Sequence, residues 1–338
     1  MKHMDKAKKN IAVRQTVLPL LAAFIWGSAF VAQSMGADLL SPFAFNAFRN
    51  IIASGFLFFV VLAFDRIHKR DGHRSYEEYL RTFAVPEGMS LTDFEKVQRK
   101  GLLKGGLLCG ITMSVAMNLQ QSGVADSGAG KAGFITALYV VLVPVFGLFL
   151  HKKVPAKVWV SVALAVVGLY LLCIKQGFRV APSDAYLLCC AFAFSVQMLL
   201  VDHYATYVDG VKLSLVQFLV VSVVSTVIMI ITEGMPEVSL IKASIIPLLY
   251  TGVLSSGVAY TLQIISQKDA NPTVVSLLLC MESVFATISG AVILHERMSG
   301  KEYIGCVLMF AAVILSQIPA SALRKNHDKK VKESVDKQ

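Results

Sequence analysis

The sequence predicts an all-α polytopic membrane protein of ten transmembrane helices, arranged as two inverted five-helix repeats. Three observations predict it: ten apolar runs long enough to cross a bilayer, a composition too apolar for a water-soluble surface, and an internal similarity at a nearly constant offset. The 338 residues are 55% hydrophobic and only 16% charged, so a water-soluble domain would lack the polar surface to cover itself. A net charge of +10 could suggest nucleic acid, but the basic residues avoid the apolar runs and gather at the termini and in one loop. That distribution serves membrane topology, and no nucleic-acid partner is expected.

Crossing about 30 Å of hydrocarbon takes roughly 20 helical residues. The first five runs extend from Thr16 to Met35, Pro42 to Phe64, Leu102 to Gln121, Gly128 to Leu150 and Pro155 to Ile174. The first follows Lys6, Lys8, Lys9 and Arg14 and resembles a signal peptide in its flanks, but its later counterpart argues for a retained span. Ser41 ahead of Pro42 predicts a side-chain cap before a proline whose missing N–H costs nothing at the first helical position. Gly27 and Pro144 fall inside helices, where a close helix approach or a kink is expected. The second five extend from Ser183 to Asp202, Leu213 to Ile231, Ile245 to Ser266, Pro272 to Leu294 and Tyr303 to Ile318. Asn271 before Pro272 repeats the cap, and Pro319 marks the last stop. The loop from Asp65 to Gly101 carries Tyr76, Tyr79, Leu80 and Phe83 at helical spacing, then Ser90 and Thr92 as caps of another short helix. It reads as a solvated insertion with a surface helix, ahead of a partner or headgroup contact.

The repeat is clearest at an offset of 143, where Val115, Ala116, Leu119, Gln120 and Asp126 recur as Val258, Ala259, Leu262, Gln263 and Asp269. Leu150 and His151 recur as Leu294 and His295 at 144, so the third to fifth helices correspond to the eighth to tenth. The first and sixth align only through Phe30 with Phe194 and Gln33 with Gln197, at 164. Five helices per repeat is an odd number, so the second copy enters the membrane from the opposite side. Such inverted repeats are typical of secondary transporters, with a midplane site between the halves.

Lys and Arg near helix ends favour the cytoplasmic side. With the amino terminus inside, 25 of the 32 Lys and Arg lie on that side and 5 outside, leaving Arg49 and Lys131 within helices. The expected organisation is a cytoplasmic tail (1–15), a first repeat (16–174) with a cytoplasmic insertion (65–101), a second repeat (183–319) and a cytoplasmic tail (320–338), in the plasma membrane. All six cysteines lie in apolar runs, so neither a disulfide framework nor a metal site is expected.

Several short stretches also resemble the EamA family of the drug/metabolite transporter superfamily. They are Trp26-Gly27-Ser28-Ala29-Phe30, Phe48-Arg49, Gly133-Phe134-Ile135-Thr136-Ala137-Leu138-Tyr139 running to Pro144, Glu282-Ser283-Val284-Phe285-Ala286, and His295-Glu296-Arg297. The resemblance covers nearly the whole chain outside the tails and the 65–101 loop. It implies ten helices, cytoplasmic termini, and export or exchange of small organic solutes such as amino acids. Ser283 stands where the family usually has proline, which would straighten the ninth helix, and His151-Lys152-Lys153 stands where many members carry a glutamate-arginine pair.

Ionisable groups inside membrane helices cost about 2.5–3.5 kcal/mol each on insertion scales and so face a bundle interior or pathway. Arg49 lies about eight residues into its helix, roughly 12 Å deep at 1.5 Å per residue. It suits a substrate carboxylate, or pairing with Glu282 between turnovers. Glu282, near the middle of the ninth helix, is a proton-coupling site or an ammonium anchor, since burial disfavours its ionised form unless a cation or hydrogen bonds compensate. Lys131 lies within a turn of the outer face and is expected to snorkel. Gln120 with Gln263, and Tyr139 with Glu282, occupy equivalent repeat positions and are expected to converge. Asn46, Asn118 and Tyr260 add polar groups at similar depth and Trp26 an aromatic wall, although buried amides also serve as interhelical glue.

The partners read from the sequence are a small-molecule substrate, the bilayer and a coupling proton; no cofactor is expected. A lipid flippase or a non-transporting scaffold is the alternative. An intramembrane enzyme is disfavoured, because no phosphate loop, HExxH motif, aspartate pair or Ser-Lys dyad is found in the helices.

Overall fold

The computed structural model describes residues 13–70, 83, 88–127, 129–152, 154–174, 181–268, 270–293, 295 and 297–318, with the side chains of 13, 67–70 and 124–131 excepted. Ten helices are long and apolar enough to span a membrane. They are α1 (Arg14–Ala37), α2 (Pro42–Arg66), α3 (Leu91–Gly123), α4 (Ala132–Phe149) and α5 (Ala156–Cys173) in the first half. The second half holds α6 (Ser183–Tyr204), α7 (Gly210–Thr232), α8 (Ile245–Gln267), α9 (Pro272–Ile293) and α10 (Gly300–Gln317). No strand occurs among the described residues. Helices satisfy every backbone donor within one segment, which hydrocarbon demands.

Side chains define several helix starts. Asn271 accepts from the Thr273 amide (2.9 Å) and Asp209 from the Lys212 amide (2.7 Å), while Ser299 and Glu302 close a capping box at α10. At α2 the expected Ser41 cap is replaced. Glu233, just past α7, accepts from the amides of Phe43 (3.3 Å) and Ala44 (2.9 Å), and Ser41 donates its hydroxyl to the same carboxylate (2.5 Å). A carboxylate serves two orphan amides and the helix dipole at once.

The helix before α3 also differs from the reading above. Ser90 caps as expected, accepting from the Asp93 amide at 3.1 Å, but the helix it starts runs unbroken from Leu91 to Ser127. Its glycines do not break it because they seat it: a Cβ on Gly101 would lie 2.5 Å from Tyr207 and one on Gly105 2.6 Å from Tyr204. The Tyr76–Leu80 surface helix, the Pro319 stop, the Asp126/Asp269 match and the Lys131 side chain lie outside what is described.

The two weakly matching helices of each half acquire a register from their contacts. Aligning the starts of α2 and α7 pairs Pro42 with Gly210, an offset of 168. At that offset Asp65 corresponds to Glu233 and Ala44 to Lys212. Glu233 holds the α2 start at Ala44, and Asp65 pairs with Lys212 Nζ (2.9 Å) at the α7 start. One reciprocal clasp therefore lies at each end of the antiparallel α2–α7 pair. Likewise Asn46 of α2 donates to Asn118 of α3 (3.3 Å), and the equivalent residues Ser214 and Thr261 bond at 2.8 Å between α7 and α8. Gln33 accepts from Arg49 Nη1 (2.9 Å) between α1 and α2, and Gln217 accepts from Gln197 (3.0 Å) between α6 and α7.

Other contacts tie the two halves together. α5 and α10 touch backbone to backbone: a Cβ on Gly305 would sit 2.8 Å from the Gly168 carbonyl, and one on Gly168 3.0 Å from that of Gly305. Lys157 donates to the α10 carboxyl-terminal carbonyls of Ser316 (3.1 Å) and Ile318. His151 and His295, matched in the repeat, both adopt the left-handed conformation (φ 58° and 54°) as α4 and α9 end.

Removing the interhelical cap should be measurable. Glu233→Ala is expected to lower stability by about 1 kcal/mol, the usual worth of a helix cap, read as a lower Tm of the detergent-purified protein. An unchanged Tm would mean that water replaces the carboxylate without cost.

Candidate functional site

Two helices break at the centre of the bundle. α4 is helical over Ala129–Thr136 and again over Tyr139–Phe149; α9 over Pro272–Leu279 and again over Glu282–Ile293. Both breaks carry the same tightened bonds: Leu138 N to Ile135 O (3.2 Å) and Val140 N to Ala137 O (3.0 Å) in α4, Met281 N to Leu278 O (3.2 Å) and Ser283 N to Cys280 O (3.2 Å) in α9. Each pair is related by the 143-residue offset. The breaks also touch, with Cys280 Sγ donating to the Ala137 carbonyl at 3.8 Å across that same separation. The pseudo-two-fold axis passes there. The straight ninth helix expected from Ser283 is therefore corrected: α9 breaks without proline, because i→i+3 bonds and the facing break in α4 hold the turn.

The second segments of α4 and α9 begin at Tyr139 and Glu282, which line a shared cavity. Seven of the nine residues singled out from the sequence line it: Arg49, Glu282, Tyr139, Gln120, Gln263, Tyr260 and Trp26. Asn46 and Asn118 do not. Asn46 donates to the Met117 carbonyl (3.0 Å) as well as to Asn118, whose amide donates to the Ser114 carbonyl (2.8 Å) and to Ser225 (3.1 Å). With a symmetry mate in Ser214–Thr261, this network joins helices.

The lining also includes residues that sequence reasoning passed over: Phe30, Gln33, Phe194, Thr136, Leu279, Ser255 and Met198. A signal for five of them existed. Phe30 with Phe194, and Thr136 with Leu279, are repeat partners, as are Gln120 with Gln263 and Tyr139 with Glu282, so four symmetry pairs surround the cavity. Gln33 had its own weak match to Gln197, while Ser255 and Met198 had none.

The charges break this symmetry. Arg49 is 3% exposed, and its partner here is a neutral amide, Gln33, with Nε left unpartnered. Glu282 is 8% exposed. Among the described residues no ion pair joins the two, so the expected Arg49–Glu282 pairing is absent from this conformation. An unneutralised charge in a low-dielectric site acts strongly on an incoming group. The repeat equivalent of Glu282 is the neutral Tyr139, so the acidic group has no counterpart on the α4 side of the cavity. Gln263 Oε1 is buried without a hydrogen-bond partner, and the buried Tyr139 hydroxyl lies within interaction range of Glu282 and Cys280. The cavity thus offers one basic side chain and one acidic side chain, the acidic one beside a tyrosine hydroxyl.

Aromatic groups form one wall. Trp26 donates Nε1 to the Ser255 carbonyl (3.2 Å), and its ring lies 4.5 Å from Tyr260, itself 5.4 Å from Phe218. Ser255 belongs to a π-helical stretch of α8, Tyr250–Ala259, a distortion frequent at functional sites. Gly27 lets α1 reach the α9 break: a Cβ there would be 2.5 Å from Phe285 Cβ and 2.7 Å from the Glu282 carbonyl. Gly27→Leu is expected to cost about 1–3 kcal/mol by overpacking and to displace Glu282. Thermal unfolding in detergent checks this; a variant as stable as the parent would contradict the contact.

Comparison with known proteins follows the same division of the chain. The family model described as the EamA-like transporter family matches residues 16–174 and again 181–317. An uncharacterised transporter of Archaeoglobus fulgidus is 30% identical over 296 residues, covering 87% of this chain and 83% of that one. A solved crystal structure superimposes with a TM-score of 0.69 at 19% identity, over 91% of this chain and 98% of its own, a likeness of fold alone.

Proposed function

Since the chain belongs to the EamA-like transporter family and is a multi-pass membrane protein, we propose that it carries small organic metabolites, amino acids or related solutes, by alternating access at the cavity between its halves. The observation that carries this reading is the cavity itself: at the pseudo-axis, beside two broken helices, it holds Arg49 and Glu282 with neither neutralised by the other. A solute with a carboxylate and an ammonium group would satisfy both. Gln33, Gln120, Gln263, Tyr139 and Tyr260 would take its remaining polar atoms, and Trp26 its apolar part, while Asn46 and Asn118 brace the wall. The charge bias of the loops supports cytoplasmic termini; the reading is completed by the plasma membrane as location, export or exchange as the direction, and Glu282 as the group that carries a coupling proton. Domain limits follow the repeats, 16–174 and 183–319. Catalysis has no support in the family or the relative.

Solute counterflow in proteoliposomes, screened with radiolabelled amino acids, nucleosides and sugars, tests this. Saturable counterflow of an amino acid is expected. Lipid scrambling without saturable uptake of any solute would overturn the reading in favour of a flippase.

A further inference from the structure

The two halves have one architecture but two conformations. In the first, the α1–α2 hydrogen bond between Gln33 and Arg49 lies on the cavity; in the second, the equivalent α6–α7 bond between Gln197 and Gln217 does not. Both of those glutamines are 0% exposed, and each keeps one polar atom, Gln197 Oε1 and Gln217 Nε2, without a partner. The halves differ elsewhere too: α8 is π-helical over Tyr250–Ala259, whereas the equivalent 107–116 stretch of α3 is ordinary α-helix.

Burying amides with half their hydrogen-bonding capacity unmet is costly in this conformation, which favours any conformation that meets it by comparison. Alternating access in an inverted repeat moves one half against the other, and with the two halves related by a pseudo-two-fold axis in the membrane plane, exchanging their conformations turns this state into one open to the opposite face. Under that exchange the α6–α7 pair moves to the cavity edge and the α1–α2 pair withdraws.

We propose that Gln197 and Gln217 form a second, alternate polar subsite for the transported solute, closed in this conformation and opened to the opposite membrane face when the halves exchange shapes. It rests on the transport reading above. Because Gln217 stands where the first half has Arg49, this subsite has hydrogen-bonding groups but no positive charge. A carboxylate is therefore held tightly when the Gln33–Arg49 side is open and loosely when the Gln197–Gln217 side is open, and the protein releases anionic or zwitterionic solutes on that second face.

The test uses single-cysteine proteins with alanine at the six native cysteine positions: Gln33→Cys, Gln197→Cys, Gln217→Cys, and Leu219→Cys as a half-exposed position facing lipid (47%). Each is exposed to a membrane-impermeant sulfonated maleimide in right-side-out and in inverted vesicles. Gln33→Cys should be labelled from one face, Gln197→Cys and Gln217→Cys from the other, and Leu219→Cys from neither. Labelling of the two α6–α7 positions from the same face as Gln33→Cys, or from no face in correctly inserted protein, overturns the proposal. Two positions are used so that a folding failure in one leaves the other decisive. If the unmodified protein shows counterflow but these positions stay unlabelled, this inference fails alone; if they label from opposite faces but no solute counterflows, the transport reading fails.

Discussion

Arg49→Ala is expected to abolish solute counterflow while leaving membrane insertion intact. Insertion is not at risk, because removing a charge from a helix centre relieves about 2.5–3.5 kcal/mol. Binding is. A hydrogen bond from a charged donor is worth about 1.5–3 kcal/mol, and each 1.4 kcal/mol is tenfold in affinity. Loss of a two-pronged contact to a carboxylate then weakens binding by about 10²–10⁴-fold. Arg49→Lys should be intermediate, since it keeps the charge and loses the planar fork that bonds Gln33 and solute together. Flux in reconstituted vesicles, normalised to inserted protein, measures this. Unimpaired counterflow in Arg49→Ala would remove the residue from the site and leave it a structural partner of Gln33.

The second large effect is expected at Glu282. Glu282→Gln keeps the shape of the side chain, the α9 break and the Gly27 contact, which is to the Glu282 backbone, and removes only the capacity for charge. If the carboxylate anchors a solute ammonium group, its loss leaves a cation unpaired in a dry site. That costs about 3–5 kcal/mol, and both exchange and net uptake should fall by about 10²–10⁴-fold. If it carries a proton instead, exchange should survive while accumulation driven by a pH gradient disappears. Counterflow and gradient-driven uptake on the same vesicles separate the two. Normal behaviour in both assays would show that Glu282 is a structural acid.

Much of the site was legible because charge inside hydrocarbon is expensive and therefore sparse. Arg49 and Glu282 stand out on that ground alone, and Tyr139 and Gln263 follow from repeat equivalence. Asn46 and Asn118 show the limit of such reasoning. A buried amide that faces a cavity and one that faces a neighbouring helix are identical in sequence, and only the bonds to Met117, Ser114 and Ser225 show which these are. Gln33 was hidden for the opposite reason. Its match to Gln197 is weak along the chain, and its relation to Arg49 exists only where α1 and α2 meet.

The sequence by itself determined the number of helices, their grouping into two halves and the inversion between them. Each follows from one-dimensional requirements: a span must reach across the hydrocarbon, and an odd number of spans reverses direction. Tertiary structure decided the rest. It continued the helix from Leu91 into α3, let Glu233 of one half cap α2 of the other, and broke α9 without proline. It also brought the α4 and α9 breaks into contact and kept Arg49 apart from Glu282. These features depend on which side chains meet across helices far apart in the chain, where a hydrogen bond or a glycine contact outweighs local propensity.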